Sequence, residues 1–453
     1  MKPFLLKDAV NACGGRYVGP EAALDQEITF VTSDSRTAGP GALFVAFRGE
    51  RVDGHAFMAD CLRKGAVACV SERMPEGDGE TPCVVVDSSL RAIGAIAAWH
   101  RSRFDIPVIG ITGSVGKTTT KEMIASVLSQ RFDTHRTEKN FNNELGVPWT
   151  LLRLDDNNEV SVVEMGINQF GEMRRLTNIV HPTMAVFTII GDAHLEFLGD
   201  RPGVLRAKGE IVEGMPEDGL LILNGDDPLL AAFLPRHRRV TYGRNPECDV
   251  RAEGIVSLGA EGTRFAIRHP GGCFEAEVHA YGSHLVNAAL AAAAVGLALD
   301  LTESEIAAGI AAYHTVGDRA RVIGANGFTI VSDCYNANPN SVRAAIDSLA
   351  GMEGRKVCIL GDMLELGDDT VALHREVGDY AARNGVALVA GCGPLGRHIA
   401  EGAMAAGGQA LAFDSRDSLL EALPRVIQPG DTVLVKASHS LAFEKVVEAL
   451  LKL

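Results

Sequence analysis

The chain has 453 residues, 46% hydrophobic and 22% charged, with a formal net charge of −15. This is the composition of a soluble globular protein of about three domains at ~150 residues each, and its acidity argues against the basic face that a nucleic-acid coat or a membrane-surface protein needs. The opening MKPFLLKDAVNACGG lacks a signal-peptide apolar core, no run reaches the ~18 apolar residues of a membrane span, and the nine cysteines form no C-x-x-C pair, so a cytoplasmic protein with reduced thiols, without disulfides or a thiolate zinc site, is expected.

Residues 1–102 read as a small α/β unit. Short β-type runs at 28–31, 42–47 and 66–70 are separated by turns at Gly39-Pro40-Gly41 and Gly49 and by a helix near 56–64. Ser33, Asp34, Ser35 and Arg36 lie in a loop between two of these runs, where side chains face either a ligand or water, and the residues alone leave both readings open. A helix at 90–103 leads into the next unit.

The second unit, 103–313, is organised around VIGITGSVGKTTTKE at 108–122. An apolar run breaks at Gly113 and Gly116, and Lys117 opens a segment that reads as helix through 130. A strand, a glycine turn and a helix N-terminus present backbone N–H groups and a positive dipole end to phosphate oxygens. Thr112, Gly113, Ser114, Val115, Gly116 and Thr119 would form that cradle. Lys117 would sit at the β and γ phosphates, and the Thr118 hydroxyl would ligate Mg²⁺. The usual GxxxxGK[ST] spacing asks for glycine at 111, where this chain has isoleucine, while the core GSVGKTTT is intact.

Next come Asn140, Asn142 and Asn143, which by composition alone make a loop before a helix start at Gly146 and Pro148. A strand at 160–163 ends in Glu164, and a strand at 184–190 runs into GDAHLEFLGD, which puts His194 at the same rim. Carboxyl ends of strands in an open α/β sheet face the ligand crevice, so Glu164 and His194 could join Thr118 around Mg²⁺. Lys208, on a helix in RAKGEI, reads as a solvated surface lysine. A strand at 220–228 ends in polar residues, short alternating strands at 240–278 form a small β-rich section, and GSHLVNAALAAAAVGLAL at 282–299 is a small-residue helix.

The third unit, 314–453, repeats strand, glycine turn and helix: a strand at 329–332 ending in Asp333, a helix from 341, then a helix at 372–384, a strand at 386–390, and helices at 398–406 and 441–451. That pattern implies a second doubly wound parallel sheet. No G-x-G-x-x-G stands at a strand end, so a nicotinamide dinucleotide is not expected. With no Ser-His-Asp pattern and no His/Cys cluster, the chemistry belongs to ATP.

GITGSVGKTTTKEM, TEKNFNNELGVPWTLL, VVEMGINQFGEM, GDAHLEFLGD, RAKGEI, LNGDDP, SDCYNANPNS, LGDMLELG and LVKASHS follow one another in the order found in the Mur ligases of peptidoglycan synthesis, and the resemblance covers essentially the whole chain. The phosphate motif is shared with folylpolyglutamate synthases, and that superfamily also lacks the glycine at 111. The resemblance implies a three-domain α/β architecture: a small N-terminal UDP-substrate domain, a central P-loop ATPase-like domain and a C-terminal Rossmann-like domain.

YNANPNS and LGDMLELG resemble the member that uses ATP and Mg²⁺ to join D-Ala-D-Ala to UDP-N-acetylmuramoyl-tripeptide through an acyl phosphate. The resemblance assigns Lys117 to the transferred phosphoryl group, Thr118 and Glu164 to magnesium, His194 to a second magnesium, and Lys208 to a lysine that is carbamylated in related ligases. It assigns Asn287, Arg319 and Asp333 to ATP. Ser33 to Arg36 fall to the uridine diphosphate end, and Asn142, Asn143, Tyr335, Asn336, Asn338 and Lys436 to the remaining substrate contacts.

This chain departs from the pattern at Ile189, at Ala288 (where Asn287 stands one residue early) and at His439, which replaces an arginine and lacks its fork geometry. A sibling ligase adding a single amino acid, or a folylpolyglutamate synthase, is the nearest rival. A non-catalytic nucleotide-gated module is disfavoured by the intact Lys117, Glu164, His194 and Lys208. A monomer that closes its domains around substrate is expected.

Overall fold

Val108–Thr112 is buried along its whole length because it pairs in parallel with a strand on each side, Val160–Glu164 and Met184–Phe187. Strands covered on both faces read as continuous apolar runs, as VIGI does here. The computed structural model describes residues 1–49, 52–74, 81–282, 284–315 and 320–453. Register sets Glu164 opposite Ile111 and Phe187 opposite Thr112. Glu164 and the phosphate turn therefore leave the sheet at one level.

The whole central sheet has nine strands. Thr134–Arg136 lies at one edge beside Val160–Glu164, and Leu220–Asn224 and Arg238–Gly243 extend it beyond Met184–Phe187. The expected separate β-rich section is instead a continuation of this sheet: Val250–Ser257 pairs in parallel with Arg238–Gly243, and Thr263–His269 and Gly272–Val278 follow antiparallel. Leu285–Ala298, half of it alanine, and Lys117–Leu128 share one apolar core over a face of the sheet. Small side chains let such helices approach closely without voids.

In the N-terminal unit, Arg16–Val18, Cys83–Val85, Ala68–Ser71, Ala42–Val45 and Phe30–Thr32 form a five-stranded sheet in that order, parallel except for the first. Ser89–Ser102 packs against Gly146–Leu151 and Glu172–Val180, so Ile93 and Ile96 share one core with Val163 and Phe187 of the central sheet. The boundary expected at 102 thus lies at the end of a helix seated on the next unit.

The C-terminal sheet runs Arg321–Ala325, Phe328–Ser332, Asp431–Lys436, Arg355–Gly361, Leu388–Cys392, Ala410–Phe413, parallel except for the first hairpin. Pro339–Ala350, Thr370–Arg383 and Gly396–Ala405 build a core on one face. Arg416–Val426 and Glu444–Leu450 build another on the opposite face. This is the doubly wound sheet expected. Among the described residues no helix is long and apolar enough to cross a membrane, and all nine cysteines are free, seven of them buried.

Candidate functional site

The phosphate turn folds as its glycines dictate. Gly113 has φ +146°, where a Cβ would stand 2.0 Å from Thr188 Oγ1, and Gly116 has φ +84° at the N-cap of Lys117–Leu128. No side chain caps that helix, so its first N–H groups have no side-chain acceptor. The turn is braced from the next strand: Thr188 Oγ1 donates to the Val115 carbonyl at 2.6 Å, the Ser114 amide donates to the Ile189 carbonyl at 2.7 Å, and the Gly191 amide donates to Ser114 Oγ at 3.0 Å. Lys117 Nζ donates to the Gly113 carbonyl at 2.7 Å. Thr112, at the strand end, is buried with its hydroxyl unpartnered.

Glu164 is 2% exposed and accepts from two neutral donors, Thr118 Oγ1 on Oε2 and Asn142 Nδ2 on Oε1, each at 2.8 Å. A buried carboxylate without a cation beside it, joined to a helix-N-terminal hydroxyl, is a donor set suited to magnesium, which keeps few protein ligands and completes its shell with water and phosphate. Among the described residues no group of three or more His, Cys, Asp or Glu forms a closed metal cage.

Two corrections concern the lysine and the histidine. Lys208 is no surface lysine: it is 0% exposed, its Nζ has no hydrogen-bond partner, and burial, followed by the charge of Lys117, holds its pKa well below the ordinary range. His194 does not stand at a strand end, since the strand stops at Phe187 and His194 arrives seven residues later in a left-handed conformation, φ +57°. Burial, then the charge of Lys208, lowers its pKa, and Glu365, whose Oε2 lies 2.6 Å from Nδ1, opposes that shift.

Lys117, Thr118, Asn142, Glu164 and His194 line a cavity of about 710 Å³ between the central and C-terminal units, together with Gly116, Thr119, Asn143, Asn287, Asp333, Tyr335, Asn336, Asn338 and Lys436, while Lys208 is buried outside its lining. At one end Tyr281 OH, His284 Nδ1 and Asn287 Oδ1 are buried without partners, while Asn287 Nδ2 donates to Asp226. Near His284, which feels the charges of both, Lys436 Nζ donates to Asp333 Oδ2 at 2.5 Å and to the Asn336 carbonyl at 2.9 Å. Asn338 caps Pro339–Ala350 through the Ser341 amide, and Asn143 accepts from the Gly146 amide in the same manner, so both amides already hold the chain. His439 stacks on Tyr335 at 5.4 Å.

Ser33, Asp34, Ser35 and Arg36 are not brought to this cavity. They follow the strand Phe30–Thr32 in the N-terminal unit, where the Arg36 guanidinium on Asp34 pushes that carboxyl down to about 2 and Lys64 Nζ donates to the Ser35 carbonyl. Arg319 lies outside the described residues. Sequence reasoning missed Thr188, His284, Asn340 and Glu365; the last two sit inside the quoted YNANPNS and LGDMLELG, while nothing local marks Thr188. A second cavity, about 770 Å³, opens at the other end of the central strands beside Asp105, Thr183 and Arg239, away from the carboxyl ends where such sheets bind ligands.

The chain matches the Mur ligase family catalytic domain over residues 27–99, the Mur ligase middle domain over 111–296 and the Mur ligase, glutamate ligase domain over 318–439. It is 36% identical over 428 residues to UDP-N-acetylmuramoyl-tripeptide--D-alanyl-D-alanine ligase of Bacillus subtilis, covering 93% of each chain. It superposes on MurF from Acinetobacter baumannii with a TM-score of 0.92 at 32% identity over 100% of both chains. With MurF ligase from Thermotoga maritima, solved in complex with ADP, the TM-score is 0.84 at 28% identity over 94% of this chain and 97% of that one. Family models across all three units, a relative matched end to end and a common fold agree with the phosphate turn and its cavity: the chain belongs to the Mur ligase family.

Proposed function

We infer that this protein is an ATP-dependent ligase that joins D-alanyl-D-alanine to UDP-N-acetylmuramoyl-tripeptide in peptidoglycan precursor synthesis. The observation that carries the reading is the end-to-end similarity to ligases named for that reaction. The cavity supports it, since residues of the phosphate turn and of the YNANPNS segment both line it.

A carboxylate and an amine at neutral pH form a salt, so the carboxylate must be activated. The terminal carboxylate oxygen of the tripeptide attacks the γ-phosphorus of ATP, ADP leaves, and an acyl phosphate forms. The free amine of D-Ala-D-Ala then attacks the acyl carbon, the carbon–oxygen bond to phosphate breaks, and the amine proton leaves with the phosphate. Such transfer rests on positioning and on neutralising spread charge. Lys117 and the amides of the turn serve the phosphate oxygens. Tyr281, His284 and Asn287 supply polar atoms for the nucleoside end, and Asp333 meets ATP from the C-terminal unit; the resemblance assigns Arg319 to the same ligand.

Thr118, Glu164, His194 and Lys208 are the residues that would hold magnesium. Bound there, Mg²⁺ supplies Lewis-acid neutralisation of phosphate charge. Lys208 suits this set as a neutral amine: addition of CO₂ with loss of a proton turns it into a carbamate anion. Ser33 to Arg36 take the uridine diphosphate end, and Asn142, Tyr335, Asn336 and Lys436 the peptide. The units 1–102, 103–313 and 314–453 serve as UDP-substrate, ATP and Rossmann-like domains of a cytoplasmic monomer.

Phosphate release from ATP with Mg²⁺ and UDP-linked tripeptide, with and without D-Ala-D-Ala, tests the reading. Dipeptide-dependent release and a product heavier by the dipeptide are expected. Release with single amino acids but not the dipeptide would make this a sibling ligase.

A further inference from the structure

His194 heads the short helix Leu195–Leu198, and the ring meets the C-terminal unit through Nδ1, 2.6 Å from Glu365 Oε2. Glu365 is itself in the left-handed region at φ +63°, uncommon for a glutamate and kept only where neighbours fix it. They do so here. Met363 and Leu366 are buried on either side, the Met363 amide donates to Nε2 of His374 at 3.0 Å, and the Leu364 amide donates to Ser438 Oγ at 3.2 Å. A Cβ at Gly367 would come within 3.4 Å of the Glu196 backbone, so this loop rides on the helix that His194 heads.

A second tie joins the same segments. Asn340 Oδ1 accepts from the Asp192 amide at 2.9 Å, and the neighbouring Gly191 exchanges hydrogen bonds with Ser114 of the phosphate turn. The stretch from Gly191 to His194 is therefore held on one side by the phosphate turn and on the other by two residues of a different domain.

We propose that Glu365 is a positioning residue for His194, delivered by docking of the C-terminal domain, which fixes the ring proton on Nδ1 and leaves Nε2 as the free acceptor. A carboxylate can only accept, so the nitrogen facing it donates. The other nitrogen then carries a lone pair, the form in which an imidazole ligates a metal or takes a proton, and a carboxylate behind it raises its basicity. An undocked domain leaves the tautomer undirected. The role of His194 in catalysis rests on the ligase reading above; the tautomer does not.

The test is ¹H–¹⁵N correlation of histidine-labelled, metal-free protein in the presence of ADP, with Glu365→Gln and Glu365→Ala beside wild type. Glutamine keeps an acceptor oxygen without the charge, and alanine removes both. His194 is expected as the Nδ1–H form in wild type and Glu365→Gln, and as the Nε2–H form in Glu365→Ala. The alanine variant should lose about 10- to 100-fold in kcat, with KM for ATP within about twofold. Glu365 is 44% exposed on its side chain, so unchanged thermal unfolding is expected of both variants. An Nε2–H ring in wild type, or an Nδ1–H ring retained in Glu365→Ala, overturns the proposal. Wild-type turnover by Glu365→Ala, with the tautomer shifted as expected, overturns the catalytic role of His194 and leaves the pairing standing.

Discussion

Lys208→Met tests the buried amine and gives an effect of opposite sign on stability and on activity. The wild-type side chain is fully buried with no partner for Nζ, and an unmatched buried polar group costs about 1–3 kcal/mol. Methionine fills similar length without the amine, so the variant should gain at least about 1–3 kcal/mol near neutral pH while losing ligase turnover. The sign with pH follows from burial. In the unfolded chain Lys208 keeps its proton up to about pH 10.5, whereas the folded state releases it at lower pH. Between those values the unfolded state binds more protons. Wild-type stability therefore rises with pH, by at most about 1.4 kcal/mol per unit, and the methionine variant lacks that slope. Its advantage shrinks as pH climbs toward 10.5. Urea unfolding of both proteins at about pH 7, 8 and 9 in CO₂-free buffer, which keeps the amine from forming a carbamate, reads the difference. A variant less stable than wild type, or a difference that does not move with pH, refutes the reasoning.

Gly113→Ala puts a Cβ 2.0 Å from Thr188 Oγ1 and 3.1 Å from the Ile189 amide at φ +146°, a strain of about 2–5 kcal/mol. The turn must shift, and KM for ATP should rise at least about tenfold in initial-rate titrations; an unchanged KM would sink the assignment. Lys436→Met leaves Asp333 facing an apolar chain where a 2.5 Å ion pair stood with side chains 3% and 17% exposed. Loss of one buried partner costs about 3–5 kcal/mol, or roughly 10 °C in the C-terminal unfolding midpoint by calorimetry. Adding Asp333→Asn should restore more than half of that, and no recovery would mean that the pair is not the source.

What the sequence made legible was chemistry confined to a few adjacent residues. Gly113 and Gly116 announce their turn because no other residue relaxes at those angles, and Glu164 announces its place because three valines, Val160, Val162 and Val163, lead to a carboxylate at a strand end. Burial of Lys208 could not be read locally. RAKGEI is polar and helical, and it is the packing of Arg201–Gly209 on Glu172–Val180 and its other neighbours that removes the water. The strand at 184 stops three residues early, at Phe187, where the chain turns to brace the phosphate turn through Thr188 and the Ile189 carbonyl, so His194 reaches the cavity by a loop. The β-rich section looked separate because its junction is the backbone pairing of Tyr242 and Gly243 with Val250 and Arg251, which leaves no side-chain pattern. Ser33 to Arg36 show the opposite limit: their motif was plain, and the fold places it away from the cavity.

The division of the cavity between two domains has a consequence under the ligase reading. An acyl phosphate in open water is lost to hydrolysis, so it must form where the amine is already at hand and water is not. Asn336 and Asn338 stand on the wall assigned to the dipeptide, and Asn340, at the start of the same helix, binds the segment that braces the phosphate turn. The docking that presents the amine wall is therefore the same event that ties Asp192 to Asn340 next to Gly191, the residue that braces Ser114 of the phosphate turn. Activation and acceptance are coupled through one loop, and an undocked enzyme lacks both the brace for phosphoryl transfer and the wall for the amine.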